Sequence, residues 1–578
     1  MKYLLSIIAA LLLLSSCNKN LDLPPADDIS NSQYWKTAQD LDAYVLQFYA
    51  SLPTTRNSSG YTGYIGSDAY VGSDLQIRAT PNPRLNGNRS PVNSAAGTAW
   101  NFVNIRSVNI FFENYKNVNE PFVNIRQYVG EAHFFKAWFY FNLVKAYGDV
   151  PWYTNSMLLD DERLFDPRTP RTQVVDSILM HLDSAVSNLN FLKDLGTAGS
   201  NRLSKEAALI FKSRVGLFEG TWQKYHSGTD FATPNAQPTK YLQACVDAVN
   251  ELRTPGKYKV GLNSTYSGLF NQTNLSSVAE VVLWCKYDRT LGFAHNFQQF
   301  VTLSTDEVSA TMQQVQNYLK ADGKPYNYLD TGAAVKGTAF LSKIANECDP
   351  RLKQIIWIPG QNMWNNAGGV VNFAKPNLDK TNESKNFTGF QMSKGADPRD
   401  PTAGGAQGFS TSCETASIIF RYGEALLNLA EAQAELGQTV DYVNTINLLR
   451  SRVSMPAFAA QADATRTSYA SFGYPLSDEL YEIRRERAVE LGCEGFRFDD
   501  WRRWAAGNLF KNKRPLGFPY LASEYPASFT ILTTNGFVDP YKNLLPNGYN
   551  FNAGRDYLEC VPVNERTLNP ALTQNPGW

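Results

Sequence analysis

Histidine is scarce in this chain. Its 578 residues hold only His133, His181, His226 and His295, with no HExxH pair and no Cys-x-x-Cys spacing. A dedicated zinc site is not expected on that count, because tetrahedral zinc is usually held by closely spaced His and Cys ligands. Charge is sparse too: 19% of residues are charged, and 54 Lys+Arg balance 54 Asp+Glu. A chain without net charge has no electrostatic footprint for a phosphate backbone or an anionic membrane face, so nucleic acid is not an expected partner. The Gly-x-Ser-x-Gly elbow is missing, which removes the commonest serine-hydrolase signal. Aromatic residues, by contrast, make up 13% of the chain. Such a sequence folds around a large core and has rings to spare for a binding surface.

Long apolar runs are missing everywhere but at the N-terminus. Lys2 precedes Leu4 to Leu14, which is shorter than the roughly 20 residues a spanning helix needs, so residues 1–16 read as a secretion signal. The run ends in Leu14-Ser15-Ser16-Cys17, a lipobox-like sequence. Cys17 then becomes the first mature residue, thioether-linked to diacylglycerol, with each buried methylene contributing about 0.8 kcal/mol of membrane affinity. Asn18 to Pro25, polar and Pro-bearing, reads as a short extended leash. The six later cysteines, Cys245, Cys285, Cys348, Cys413, Cys493 and Cys560, allow many disulfide connectivities and no spacing selects one. Cys245 shares a helical face with Leu242, Val249 and Leu252, which reads as a buried free thiol.

Several stretches repeat apolar residues three or four apart, as one helix face does. Phe102, Ile105, Val108 and Phe112 form one such face; Val174/Val175, Ile178, Leu182 and Leu189 form another. Ala207/Ala208, Phe211, Val215 and Phe218 follow a Ser204 cap and pair with Leu242, Val246, Val249 and Leu252. Tyr422, Leu426, Leu429 and Leu436 run to Gly437, and Val443, Ile446, Leu449 and Val453 resume beyond it. In Gly130 to Tyr147 the aromatic residues cover most of the helix circumference, so that helix must be packed on several sides. Sandwiched helical hairpins of this kind predict tetratricopeptide-like stacking without a strict 34-residue period. Between them, Ser51 to Ala99 and Ile355 to Gly408 are rich in Gly, Asn, Ser and Pro and read as loops with short strands; Val281 to Cys285 reads as one such strand.

Taken in order, these features resemble the SusD/RagB family. The resemblance is carried by Cys17 followed by Asn-Lys-Asn-Leu-Asp-Leu-Pro; by Trp100 with Ile105 and Asn109; and by Gly130-Glu131-Ala132 running into Phe139-Tyr140-Phe141 and Tyr147-Gly148-Asp149-Val150-Pro151. Arg421-Tyr422, Ala430-Glu431-Ala432, Arg450, Arg452, Glu486-Arg487, Glu490-Leu491, Glu494-Gly495, Arg497, Asp500 and Arg503-Trp504 continue it, and Gln574-Asn575-Pro576-Gly577-Trp578 closes it. Lys136 departs from the Arg usual in that family's aromatic helix, which puts a bidentate pairing there in doubt. The resemblance implies a mainly α fold, with tetratricopeptide-like helix pairs in a right-handed superhelical frame and an irregular loop-rich region carrying short strands. It implies a surface lipoprotein of the outer membrane, held by its N-terminal lipid, that binds an oligosaccharide and caps a SusC-like TonB-dependent transporter. Neither catalysis nor a cofactor or metal is implied. The expected organisation is a signal peptide at 1–16, a leash at 17–36 and a single domain at 37–578. Within that domain the frame occupies about 37–52, 100–254 and 415–510, the ligand region about 53–99 and 255–414, and the closing segment 511–578.

Sugar binding needs flat apolar faces against pyranose C–H groups and polar side chains for the hydroxyls. Loop-borne residues meeting that need are Tyr61, Tyr64, Tyr70, Arg78, Asn82 and Arg89, then His295, Phe297 and Gln298 beyond the Trp284 strand, and Trp364. Trp100, Trp138, Trp501 and Trp504 lie in helical motifs and are expected in the core. Gly63, Gly66 and Gly72 with Asp68 and Asp74 lack both a following Gly-Lys-Ser/Thr and an alternating Asp ladder, so a plain loop is expected rather than a phosphate or calcium site. Glu482 to Trp504 is dense in Glu and Arg. One reading is an acid and base pair for glycosidic cleavage on a helical scaffold. The other is a structural ion-pair network between Glu486, Glu490 and Glu494 and the nearby Arg487, Arg497, Arg502 and Arg503, and this one is preferred. Uptake of peptide rather than glycan, and a purely structural repeat protein, remain as further alternatives.

Overall fold

The computed structural model describes residues 34–53, 67–158, 160–196, 199, 201–303, 308–366, 369–380, 385–399, 413–462 and 471–578. Helices dominate. Helix α1 (Ala38–Leu46) opens with a capping box, in which the Thr37 hydroxyl accepts from the Asp40 N–H and the Asp40 carboxylate accepts from the Thr37 N–H. Helix α2 (Val103–Asn114) buries Ile105, Val108 and Phe111, and α3 (Phe122–Tyr147) buries nearly every side chain from Val129 onward. Its rings explain why: Phe135 meets Phe48 on one side, while Phe134 meets Phe211 and Phe420 on another. The aromatic helix is enclosed, as its all-round apolar pattern requires.

Helices α4 (Arg171–Asn188), α5 (Lys205–Tyr225) and α6 (Pro238–Leu252) complete the first set of hairpins. Ser204 caps α5, its hydroxyl accepting from the Ala207 N–H at 3.3 Å. Helices α5 and α6 approach closely enough for backbone contact at Gly216 and Gly220. A Cβ at Gly216 would lie 2.6 Å from the Tyr241 carbonyl oxygen, and one at Gly220 would lie 2.6 Å from the Leu242 side chain. Each helical glycine costs about 1 kcal/mol relative to alanine, and the closer packing offsets that cost.

Strand β1 (Gln76–Ile77) pairs antiparallel with β3 (Ser309–Ala310), and β2 (Val281–Cys285) with β6 (Ser417–Arg421); β4 (Asn362–Asn366) and β5 (Gly369–Asn372) form a hairpin. Strand β2 serves two cores. Val282 and Leu283 join the core beneath the helix pairs, while Val281 and Trp284 join a second core beneath the loop region, which also holds α7 (Phe297–Leu303) and α8 (Gly337–Glu347). Strand β6 leads directly into α9 (Tyr422–Glu435), which ends at Leu436 with Gly437 left-handed at φ +67°. The next helix, α10 (Ile446–Ser451), is shorter than the Val443–Val453 periodicity predicts. The Asp441 carboxylate accepts from the Asn444 N–H at 3.2 Å and holds a turn there, leaving Val443 exposed.

Helices α11 (Asp478–Glu490) and α12 (Arg497–Arg503) carry the Glu/Arg-rich segment into the interior. The six later cysteines are free thiols, and Cys245 is fully buried. At the C-terminus, past α13 (Val563–Leu568), Arg89 and Arg555 stack against the Trp578 ring at 4.6 and 4.9 Å. Trp100, Trp138, Trp501 and Trp504 all lie in the first core.

Candidate functional site

The Glu/Arg-rich segment is a sealed electrostatic seam between the two cores. Glu490 Oε1 accepts from Arg421 at 2.8 Å and from Arg452 at 2.5 Å, and its Oε2 accepts from Arg351 at 2.9 Å. Glu486 pairs with Arg351 and Arg450, and Glu494 with Arg421 and Lys394. Glu280 joins Arg421 to Arg452, and Asp349 holds Arg351. The cations Arg351, Lys394, Arg421, Arg450 and Arg452 therefore balance Glu280, Asp349, Glu486, Glu490 and Glu494, all of them buried or nearly so. Burial alone would raise the Glu490 carboxyl; Arg452, Arg421 and Arg351 outweigh it and hold it well below the usual carboxylate range. A carboxylate so enclosed reaches no substrate and donates no proton.

The network differs in membership from the sequence expectation. Arg487 bonds Asp500 and Asn428, Arg503 bonds Glu431 and Asp500, and Arg497 bonds Asp74. The partners of the three glutamates come instead from residues 351, 394, 421, 450 and 452. Glu494 lies past the end of α11, so the i, i+8 spacing from Glu486 is not continued by helix. The Asp74 carboxylate is taken up by Arg497, and burial pushes Asp68 up to about 7 against the N–H of Phe498 that favours its charged form.

The open surface lies over the second core. Tyr61 and Tyr64 fall outside the described residues. Tyr70, Arg78 and Asn82 come together: the Arg78 guanidinium sits 4.1 Å over the Tyr70 ring, and Asn82 Nδ2 donates to the Tyr70 carbonyl at 3.0 Å. Asn82 Oδ1 also accepts from the Arg84 N–H, so this side chain shapes its loop. Arg89 is tied to Glu559, the Leu558 carbonyl and Trp578, and clamps the C-terminus.

His295, Phe297 and Gln298 are buried and stand behind the surface. His295 Nδ1 accepts from the Phe297 N–H at 3.1 Å, which makes Nε2 the donor to the Thr415 carbonyl at 2.8 Å. Gln298 accepts from the Asp397 N–H at 2.8 Å and donates to the Met363 carbonyl. These residues fasten two exposed loops. Ahead of them, the turn closed by Asp288 and Phe293 is held by the Asp288 carboxylate on the Thr290 N–H, with Gly292 at φ +70°. That turn presents Leu291, 79% exposed, and Phe293, 51% exposed. The Phe293 ring lies 4.9 Å from buried Tyr287 at 21°, a stacked platform with one face toward solvent. Arg289 and Glu414 flank it as an ion pair. On the other side of the fastener, the β4–β5 hairpin carries half-buried Trp364 among Asn362 and Asn365, which bond each other at 2.9 Å. The Trp364 indole N–H finds no acceptor among the described residues.

Sequence reasoning missed Phe293 and Tyr287. The signal lay in the turn chemistry of Asp288-Arg289-Thr290-Leu291-Gly292, which projects Phe293, whereas His295 and Phe297 sit where the chain turns inward. The arrangement offers rings for sugar faces and amides for hydroxyls, and among the described residues the carboxylates beside the platform, Asp288 and Glu414, are both bonded.

Comparison with known proteins agrees with this architecture. A family model described as the SusD family matches residues 287–578, and one described as starch-binding associating with the outer membrane matches residues 23–217. A SusD-like protein of Formosa agariphila is 24% identical over 502 residues, which is 86% of this chain and 89% of that one. A SusD-like protein from Bacteroides fragilis superposes with a TM-score of 0.72 at 22% identity, covering 96% of this chain and all of the other. A SusD-like carbohydrate-binding protein from the same organism gives 0.70 at 20% identity, covering 93% and 100%. With the first model spanning half of the residues, the second accounting for the N-terminal helices, and the helical fold shared nearly end to end, the chain belongs to the SusD family.

Proposed function

We propose that the protein is a cell-surface lipoprotein, anchored through Cys17, that captures an oligosaccharide and delivers it to a SusC-like TonB-dependent transporter for which it acts as a lid. The observation that carries the glycan reading is the exposed Phe293 ring stacked on buried Tyr287, together with half-buried Trp364 and its neighbouring amides, on loops tied to a buried fastener. Rigid rings beside amide groups bind sugars at low entropic cost, because little has to be ordered on contact. The carboxylates that would serve hydrolysis are sealed in the seam, which supports binding without turnover. The carbohydrate-binding relative lends the substrate class, and the family lends the transporter partnership.

The test is calorimetry of the purified protein against panels of oligosaccharides and peptides, with reducing ends followed in parallel. Saturable binding of a glycan with no new reducing ends is expected. Binding of peptides alone overturns the substrate class, and steady release of sugar overturns the non-catalytic reading. Isolation of the lipidated protein from its own outer membrane is expected to bring a TonB-dependent transporter with it.

A further inference from the structure

An apolar groove lies on the helical frame, away from the aromatic loops. One part, about 290 Å³, is lined by Phe102, Val103, Arg106, Tyr153, Leu158 and Leu164. A second part of about 330 Å³ shares Phe102, Tyr153 and Leu164 and continues over Phe165 to Leu568. Val103, Leu158, Phe165 and Leu568 are 56–70% exposed, and exposed apolar side chains gathered around one groove mark an interaction site. Arg106 stands exposed at the rim, bonded only to the Met157 carbonyl, with no carboxylate partner among the described residues.

We propose that the occupant of this groove is the chain's own N-terminal segment, residues 18–33, with Leu21 and Leu23 seated against Val103, Leu158 and Phe165. Three observations support it. The first described residue, Tyr34, lies beside Trp35 and Tyr44; Trp35 packs on Phe111, and the Tyr44 hydroxyl bonds the Ser107 carbonyl. The segment therefore enters beside the later turns of α2, whose first turn forms the groove about 12 Å away along the helix axis, and sixteen residues reach about 50 Å when extended. Leu21 and Leu23 stand two apart, on one face of an extended chain, and Pro24-Pro25 favours that conformation. Asp22, Asp27 and Asp28 against the single Lys19 give the segment the sign that Arg106 lacks. Docking there fixes which face of the frame the Cys17 lipid leaves from. This inference rests on the lipoprotein reading only for that consequence.

The full-length lipidated protein carrying Leu23→Cys and Leu158→Cys is expected to form an intramolecular disulfide under mild oxidation, while Leu23→Cys with Val370→Cys, on the β4–β5 hairpin, does not. Alkylation of Leu158→Cys alone is expected to speed up about tenfold when Leu21 and Leu23 are both replaced by Asp, a factor worth 1.4 kcal/mol. Equal cross-linking to both positions, or an alkylation rate unaffected by the Asp replacements, overturns the proposal. Cross-links between chains overturn it in favour of a second copy. None of these readouts depends on glycan binding, so the two readings fail separately.

Discussion

Glu490→Gln is the most informative single change, because a catalytic glutamate and a structural one respond to it in opposite ways. The amide keeps the shape of the carboxylate but turns one acceptor into a donor. Arg421 and Arg452 meet one oxygen and Arg351 the other, so whichever way the amide lies, its NH₂ faces a guanidinium. At least one charge-assisted bond is lost, worth about 1.5–3 kcal/mol. The seam, balanced in the wild type, is left with one buried positive charge, and the total cost of breaking such a network is about 3–5 kcal/mol. Urea unfolding followed by far-UV circular dichroism and by tryptophan fluorescence reads this as a lower midpoint at unchanged slope. Asp183→Asn, which removes only an exposed pair with Lys212, is the control and is expected to change stability by about 0.5 kcal/mol or less. Adding Arg452→Met to Glu490→Gln restores the charge balance and is expected to recover part of the loss. An unchanged midpoint for Glu490→Gln, with a wild-type glycosidase activity that the variant lacks, refutes the structural account of the seam.

Acid is expected to destabilise the fold through a part-buried histidine pair. His133 and His181 face each other through their Nδ1 atoms at 2.7 Å between Phe112 and Trp152, with Lys136 beside them. Burial, and then Lys136, push His133 down to about 4; burial, His133 and Lys136 push His181 down to about 2. The unfolded chain takes up protons first, at about 6.5, so stability is expected to fall as pH drops from 6.5 toward 4. His133→Gln is expected to flatten that slope in pH-dependent urea titrations. Lys136, pushed down to about 8 chiefly by burial, binds its proton less readily folded than unfolded. Stability therefore gains as pH rises from about 8 to 10.5, and Lys136→Met, measured the same way, is expected to abolish the gain. Deleting Trp578, which removes the ring held between Arg89 and Arg555, is expected to cost about 1–3 kcal/mol in thermal or urea unfolding.

Much of the frame was legible because helix faces follow from the spacing of apolar residues. Gly130 to Tyr147 declared its enclosure through its rings, Ser204 and Gly437 marked their helix ends, and Val281 to Cys285 its strand. The α10 boundary was not legible, because the Asp441 turn competes with the apolar period at Val443. The seam was legible in kind but not in membership: Arg351 and Lys394 reach Glu490 and Glu494 across more than a hundred and about a hundred residues respectively, and no local pattern encodes that pairing. At the candidate site the sequence singled out His295, Phe297 and Gln298, but not which side of that stretch faces water. Burial there is decided by the His295–Cys413 bridge and by Gln298 reaching Met363. Phe293 is exposed because the Asp288 turn closes ahead of that bridge.

The Phe293 and Trp364 rings are proposed to grip a glycan that the protein does not cleave. Titration calorimetry of one bound oligosaccharide into the wild type, Phe293→Ala and Trp364→Ala measures that grip. Each ring contributes about 0.5–1.5 kcal/mol beyond its buried area, so affinity is expected to weaken several-fold or more in each variant, with the melting transition intact and the sugar recovered whole. Undiminished affinity in both variants, or recovery of shortened sugar from the wild type, contradicts it.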